Sequence, residues 1–131
     1  MLQVLRVDGV KTIRLNADSF SPQQRRFLQT LSLQGSEVGA RLWPILSALE
    51  GLGTLSASDC SIESIPDFAF RRNTALQTID LSSNAIDSVT QSSVYGLADS
   101  LAAFNLYSNR IRTVHQCTFF GFRSVLTIIN S

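Results

Sequence analysis

The sequence predicts an α/β repeat fold: a right-handed solenoid with a curved parallel sheet on its concave face and short helical, 3-10 or irregular segments on its convex side. Two observations carry this expectation. A short pattern with apolar residues at its first, fourth and sixth positions returns from starts at residues 2, 28, 52, 76 and 101, and a partial copy opens at 126. The intervals are 26, 24, 24, 25 and 25 residues, a period typical of solenoids, in which no unit buries its own apolar face alone. The second is a single apolar residue eighteen positions after each of the first five starts: Phe20, Leu46, Phe70, Val94 and Phe119. One domain spanning 1–131 is expected, with about five repeats and a partial one from 126.

Each element follows from the pattern. The clearest copy runs Leu76, Ile79, Leu81, Asn84, Ile86, Val89, then Val94 and Leu97; the next matches it with Leu101, Phe104, Leu106, Asn109, Ile111, Val114, Phe119 and Phe122. Before them lie Leu52, Leu55, Ala57, Cys60, Ile62, Ile65 and Phe70 in the same phase. Two weaker copies come earlier, one through Leu28, Leu31, Leu33, Ser36 and Val38, the other through Leu2, Leu5, Val7 and Val10; a last opens at Leu126 and Ile129. Strand side chains alternate faces, so the first, fourth and sixth residues turn inward and the strands of successive coils stack in parallel, about 4.8 Å apart. At the ninth position the chain leaves the sheet and its backbone groups need new partners. Asn84 and Asn109 there can both donate and accept, and Cys60 and Ser36 occupy the same slot, so the four form an expected structural ladder. Val10 breaks it in the first copy, and Arg41 stands where Leu15, Ile65, Val89 and Val114 stand elsewhere. On the outer wall, Ser21-Pro22-Gln23 and Pro44 through Glu50 read as short helices opened by proline at the first helical position, with Gly51 ending the second.

Composition excludes several functional classes. The net charge of +1 gives no phosphate-tracking surface. No apolar run approaches the roughly 20 residues of a membrane span, and residues 1–6 lack the features of a signal peptide. Two cysteines, Cys60 and Cys117, make neither a disulfide framework nor a metal set, and two repeats apart they are not expected to bond. His115 is the only histidine, which leaves little for acid–base work and removes multi-histidine metal sites. Neither a nucleophile elbow nor a complete phosphate loop occurs; Asp8-Gly9-Val10-Lys11-Thr12 has only the tail of one. The expectation is therefore a non-enzyme with no cofactor, no metal, no small-molecule substrate and no nucleic acid. His115 close to Cys117 is the sole enzymatic hint, and an exposed loop histidine explains it.

These repeats resemble the leucine-rich-repeat superfamily over nearly the whole chain. The 24-residue unit, with an outer aromatic, then glycine and an apolar residue, as in Val94-Tyr95-Gly96-Leu97 and Phe119-Phe120-Gly121-Phe122, is similar to the typical extracellular class. That class includes Toll-like receptors, Slit and chaoptin-like adhesion proteins; the repeats also resemble arthropod relatives of the non-catalytic subunit of shrimp luciferase. The resemblance implies protein-protein interaction, with a protein ligand or receptor as partner, and an extracellular or cell-surface location. The cysteine-rich caps of that class are absent from both ends, and solenoids need capped ends for solubility. A fragment of a longer array is expected, with self-association through uncapped ends as a structural, accessory alternative.

Outward positions of the strands form columns on the concave face. One reads Arg6, Ser32, Ser56, Asp80, Asn105 and Asn130; the next Asp8, Gln34, Ser58, Ser82 and Tyr107; a third Gly9, Gly35, Asp59, Ser83 and Ser108. Tyr107, the one aromatic, is the expected anchor, because tyrosine is enriched at binding hot spots, with Asn105, Asp80, Ser82, Ser58, Gln34 and Arg6 as the surrounding partner-binding surface. Glu63, Asp87 and Arg112 recur at one position of consecutive repeats, so an Asp87–Arg112 ion pair is expected. Arg71 and Arg72 on one edge and Arg110, Arg112 and Arg123 on another are expected to have no aromatics interleaved.

Overall fold

A computed structural model describes residues 2–11 and 13–122, together with the backbone of 126–128. Expectations placed on Thr12, Arg123, Ile129 and Asn130 lie outside the described residues. The chain supplies one three-residue strand per coil: β1 (Val4–Arg6), β2 (Thr30–Ser32), β3 (Thr54–Ser56), β4 (Thr78–Asp80), β6 (Ala103–Asn105) and β8 (Leu126–Ile128). They form a six-stranded sheet in the order β1-β2-β3-β4-β6-β8, every pair parallel. A second, two-stranded parallel sheet joins β5 (Ser88–Val89) to β7 (Thr113–Val114), where each coil leaves the main sheet.

Register follows the repeat through the first five strands. Leu5, Leu31, Leu55, Ile79 and Phe104 are successive backbone partners. Four of them are buried, and Leu5, on the edge strand, is partly covered. The last strand differs from expectation. Ala103 pairs with Leu126 instead of Ile128, so this copy lies two residues from the phase its leucines suggest. A slip of two residues preserves the alternation of faces within the strand, where a slip of one would invert it, but it moves Leu126 from the first position of the pattern to the third.

The core lies between the sheet and the outer wall. Phe20, Leu46, Phe70 and Val94 are buried there, and Phe119 is half-buried against the same cluster. Edge-to-face aromatic contacts cross it from Trp43 to Phe70 (5.6 Å), Phe70 to Phe104 (6.4 Å) and Phe104 to Phe119 (6.5 Å). Phe70 and Phe104 are fully buried, which stabilises the fold by about 2–3 kcal/mol for each ring.

Two helical turns shape the outer wall of the early coils. In α1 (Pro22–Phe27), Ser21 caps the helix, accepting from the Gln24 amide while Gln24 Oε1 accepts from the Ser21 amide, and Pro22 sits in the first turn. The second helix, α2, spans Leu42–Ser47, two residues earlier than expected at its start and short of Gly51 at its end. A 3-10 turn at Gly39–Arg41 leads into it. Pro44 thus sits within the first turn instead of opening it, where a missing N–H costs no helical hydrogen bond. This also accounts for Arg41: Leu42 takes the buried place, and the Arg41 guanidinium donates to the carbonyls of Ile13 and Glu37.

Candidate functional site

The outward face of the six-stranded sheet brings the expected site residues into rows. Arg6, Ser32, Ser56, Asp80 and Asn105 are successive backbone partners across β1, β2, β3, β4 and β6. Two residues further along each coil come Asp8, Gln34, Ser58, Ser82 and Tyr107. Local side-chain bonds fix this second row. Asp80 Oδ1 accepts from the Ser82 amide (2.9 Å) and hydroxyl (2.7 Å). Asn105 Oδ1 accepts from the Tyr107 amide at 2.9 Å. Asp8 Oδ1 instead reaches the neighbouring coil, accepting from the Ser32 hydroxyl (2.6 Å) and the Gln34 amide (3.0 Å), while Oδ2 faces Arg6 at 3.4 Å.

Exposure divides the candidates. Tyr107 is 50% exposed, Gln34 and Arg6 are exposed, and Asp80, Ser82 and Asn105 are half-buried. Ser58 is buried, as is Ser32, so the expectation that these two stand exposed in their columns is overturned. Neighbouring strands stand about 4.8 Å apart, and a serine is too short to rise above the longer chains beside it. Ser32 also turns its hydroxyl sideways to Asp8.

Behind this row the turn is held from inside the coil. Asn84 Oδ1 accepts from the amides of Cys60 (2.9 Å) and Ile62 (3.0 Å), while its Nδ2 donates to the carbonyls of Ala57, Leu81 and Ser82. Asn109 Oδ1 accepts from the Ile86 amide and its Nδ2 donates to Leu81 and Leu106. The Ser36 hydroxyl donates to the Val7 carbonyl and accepts from the Val10 amide. The Cys60 thiol donates to the Leu33 carbonyl at 2.9 Å. Each of these side chains thus ties its own coil to the preceding one. Burial pushes the Cys60 thiol above its usual range, partly offset by the backbone amides of Ser36 and Gly35, so it is no nucleophile at neutral pH.

Sequence reasoning overlooked a second set of inter-coil bonds on the outer wall. The Ser93 hydroxyl donates to the Ile65 carbonyl (3.1 Å), and Thr118 Oγ1 donates to the equivalent Val89 carbonyl (3.4 Å). The fully buried Asn73 donates through Nδ2 to Leu46 and Leu49. Ser93 and Thr118 each precede an outer-wall residue, Val94 or Phe119, and that shared position was the available signal.

One depression lies beside the two-stranded sheet and another on the helical side. Beside β5 and β7, an open groove of about 650 Å³ is bordered by Glu63, Asp87, Arg110 and Arg112. The expected Asp87–Arg112 ion pair does not form; among the described residues the ion pairs are Arg6–Asp8 and Arg25–Asp18. Both side chains are exposed, and there Coulomb attraction barely offsets the entropy of holding two long side chains together. On the helical side, Arg71 and Arg72 share a depression with the Phe68 ring, so the expectation of arginines without interleaved aromatics is corrected for this pair. Tyr95 and Phe120, the outer aromatics of the repeat signature, are 60% and 79% exposed, and Phe68, which no repeat signal marked, is 49% exposed. His115 Nδ1 accepts from the backbone amide of Cys117, not from its thiol. Among the described residues no three acidic, histidine or cysteine side chains are placed to share a metal ion, and no helix is long and apolar enough to cross a membrane.

Comparison with known proteins places a family signature on the middle of the chain. Residues 50–100 match the family model described as leucine rich repeat. The matched span contains β3 and β4, Cys60 and Asn84, and the site residues Ser58, Asp80 and Ser82. Leucine-rich-repeat domains generally mediate protein–protein interaction and are generally non-catalytic. No curated protein matches the chain.

Proposed function

We propose that this chain is a non-enzymatic recognition module that holds a protein ligand or receptor against the concave, outward face of its six-stranded sheet. The observation that carries this reading is the row in which a half-exposed Tyr107 projects from a backbone already fixed by Asn105, beside Ser82 fixed by Asp80. A contact surface that is ordered before binding loses less entropy on binding, and a tyrosine anchor suits such a surface. Gln34 and Arg6 extend it towards β1, at the polar margin. The resemblance to the typical extracellular class supports an extracellular or cell-surface setting.

The test is a double substitution, Asp80→Ala with Tyr107→Ala, compared with wild type for affinity towards a captured partner. Loss of at least about tenfold, roughly 1.4 kcal/mol, is expected with an unchanged circular dichroism spectrum. Wild-type affinity in the double variant removes the sheet face from consideration.

A second reading, an accessory subunit that assembles through an end coil, is favoured by Leu2, Val4 and Val10, which are 43%, 49% and 37% exposed beside the edge strand β1. Light scattering separates the two, since a monomer at high concentration contradicts assembly through that edge.

A further inference from the structure

We propose that the depression on the helical side of the coils is a second docking site, and that its occupant is an acidic, aromatic-bearing segment of a partner protein. The proposal is independent of the sheet-face reading. The pocket holds about 420 Å³ and is bordered by Arg25, Arg71, Arg72, Phe68, Ser47 and Ala69, with no carboxylate in its lining. The groove on the other flank makes the contrast. There Glu63 and Asp87 stand with Arg110 and Arg112, and the charges balance within the lining itself.

The three arginines are not equivalent. Arg25 is held in place: its Nε donates to the Phe20 carbonyl (3.1 Å) and its Nη2 to the Ala17 carbonyl (2.8 Å), with Asp18 at 3.7 Å on the solvent side. Arg71 and Arg72 make no ion pair and no side-chain hydrogen bond among the described residues. Their guanidinium forks match a carboxylate in two parallel hydrogen bonds, which a fixed positive wall behind them strengthens.

Phe68 supplies the second half of the argument. Its ring is 49% exposed, although its backbone adopts the left-handed region, with φ of 60°. A bulky residue there is uncommon and strained. The repeat does not require a ring at this position, because the equivalent residues of the next two coils are Ser92 and Cys117. The Phe68 amide donates to the Ser92 carbonyl at 2.8 Å, which anchors the backbone, and the ring meets Tyr95 edge-to-face at 5.4 Å. The result is a small aromatic platform beside two unpaired guanidinium groups. A phosphodiester strand fits poorly, since three arginines in one compact pocket on a chain of net charge +1 give no extended basic track.

The experiment uses a random dodecapeptide phage library selected on the whole chain. Enriched peptides should combine Asp or Glu with an aromatic residue, and their affinity should fall with added salt. Arg71→Glu with Arg72→Glu should weaken them at least tenfold, and the milder Arg72→Gln should weaken them measurably should the double reversal misfold. Phe68→Gly should also weaken them while holding or raising the thermal midpoint, because glycine adopts the left-handed backbone freely. Asp80→Ala with Tyr107→Ala should leave them unchanged. Enrichment without acidic bias, peptides indifferent to Arg71 and Arg72, or loss of binding of every peptide to the sheet-face double variant overturns the proposal. Arginine-dependent binding of a single-stranded oligothymidine, with no acidic peptide enriched, overturns it in favour of nucleic acid.

Discussion

Asn84 offers the sharpest test of how the coils are held together. Replacing it by alanine removes the acceptor for two backbone amides, Cys60 and Ile62, and the donor shared by the carbonyls of Ala57, Leu81 and Ser82. A buried N–H left without a partner costs about 1–3 kcal/mol. Two stranded donors therefore set a range of about 2–6 kcal/mol, and because Asn84 is only half-buried, water entering the vacated space reduces the expected loss to about 3 kcal/mol. For a chain of this size that is a fall of roughly 10 °C in thermal midpoint. Asn84→Ser separates mechanism from mere truncation. The native Ser36 hydroxyl, in the same slot of an earlier coil, serves one carbonyl and one amide, so serine at position 84 should recover about half of the loss. Urea unfolding followed by circular dichroism measures both, and a shallower or biphasic transition would report coils parting separately. A loss below about 1 kcal/mol in Asn84→Ala, or equal losses for alanine and serine, refutes the reasoning.

Two further outcomes are expected. Gly51→Ala should destabilise the chain by about 3 kcal/mol or prevent folding, since a Cβ at residue 51 would overlap the Arg26 carbonyl oxygen of the coil before; a wild-type unfolding midpoint contradicts the close approach. In native protein a thiol reagent should label Cys117 and spare the buried Cys60, with the second label appearing only on unfolding. The Cys60 pKa is raised in the folded state from an ordinary value near 9.0, so its contribution is complete below about pH 9 and is lost as pH rises through the folded-state value. Stability measured upward from pH 8 should fall less steeply in Cys60→Ala than in wild type, and parallel slopes would contradict this.

The sheet was legible in the sequence because strand alternation writes itself directly into residue type. Leu31, Leu55, Ile79 and Phe104 must all face the core at the same step of each coil, and any polar residue there would be expensive. The ninth-position slot was legible for the same reason, as a buried turn demands a donor and an acceptor together. The outer wall was legible chiefly at its inward residues, Phe70, Val94 and Phe119. The rest of its turns at 67–72, 91–96 and 116–121 follow no alternation of faces, so the pattern did not report how far Phe68, Tyr95 and Phe120 stand exposed. The hydroxyl bonds of Ser93 and Thr118 were hidden by Ala69, which holds their position in the third coil and erases the repeat. On the sheet face, the column pattern correctly grouped Asp80, Ser82, Asn105 and Tyr107 but could not report height above the surface, which is why Ser58 was misjudged.

Stability and recognition are coupled through the turn that follows each strand. Asp59, Ser83 and Ser108 all adopt positive φ there, between 54° and 60°, where Gly9 and Gly35 hold the same position in the first two coils. Such a conformation costs about 1–2 kcal/mol for each non-glycine residue, and it persists because the next residue, Cys60, Asn84 or Asn109, is locked by bonds to the coil before. Ser108 lies directly between Tyr107 and Asn109, and Ser83 between Ser82 and Asn84. Loosening a slot residue therefore releases strain into the very loop that presents the proposed contact residues. Asn84→Ala should then weaken a sheet-face partner even under conditions where the chain remains folded, whereas a substitution on the outer wall, such as Ser93→Ala, should leave that affinity alone.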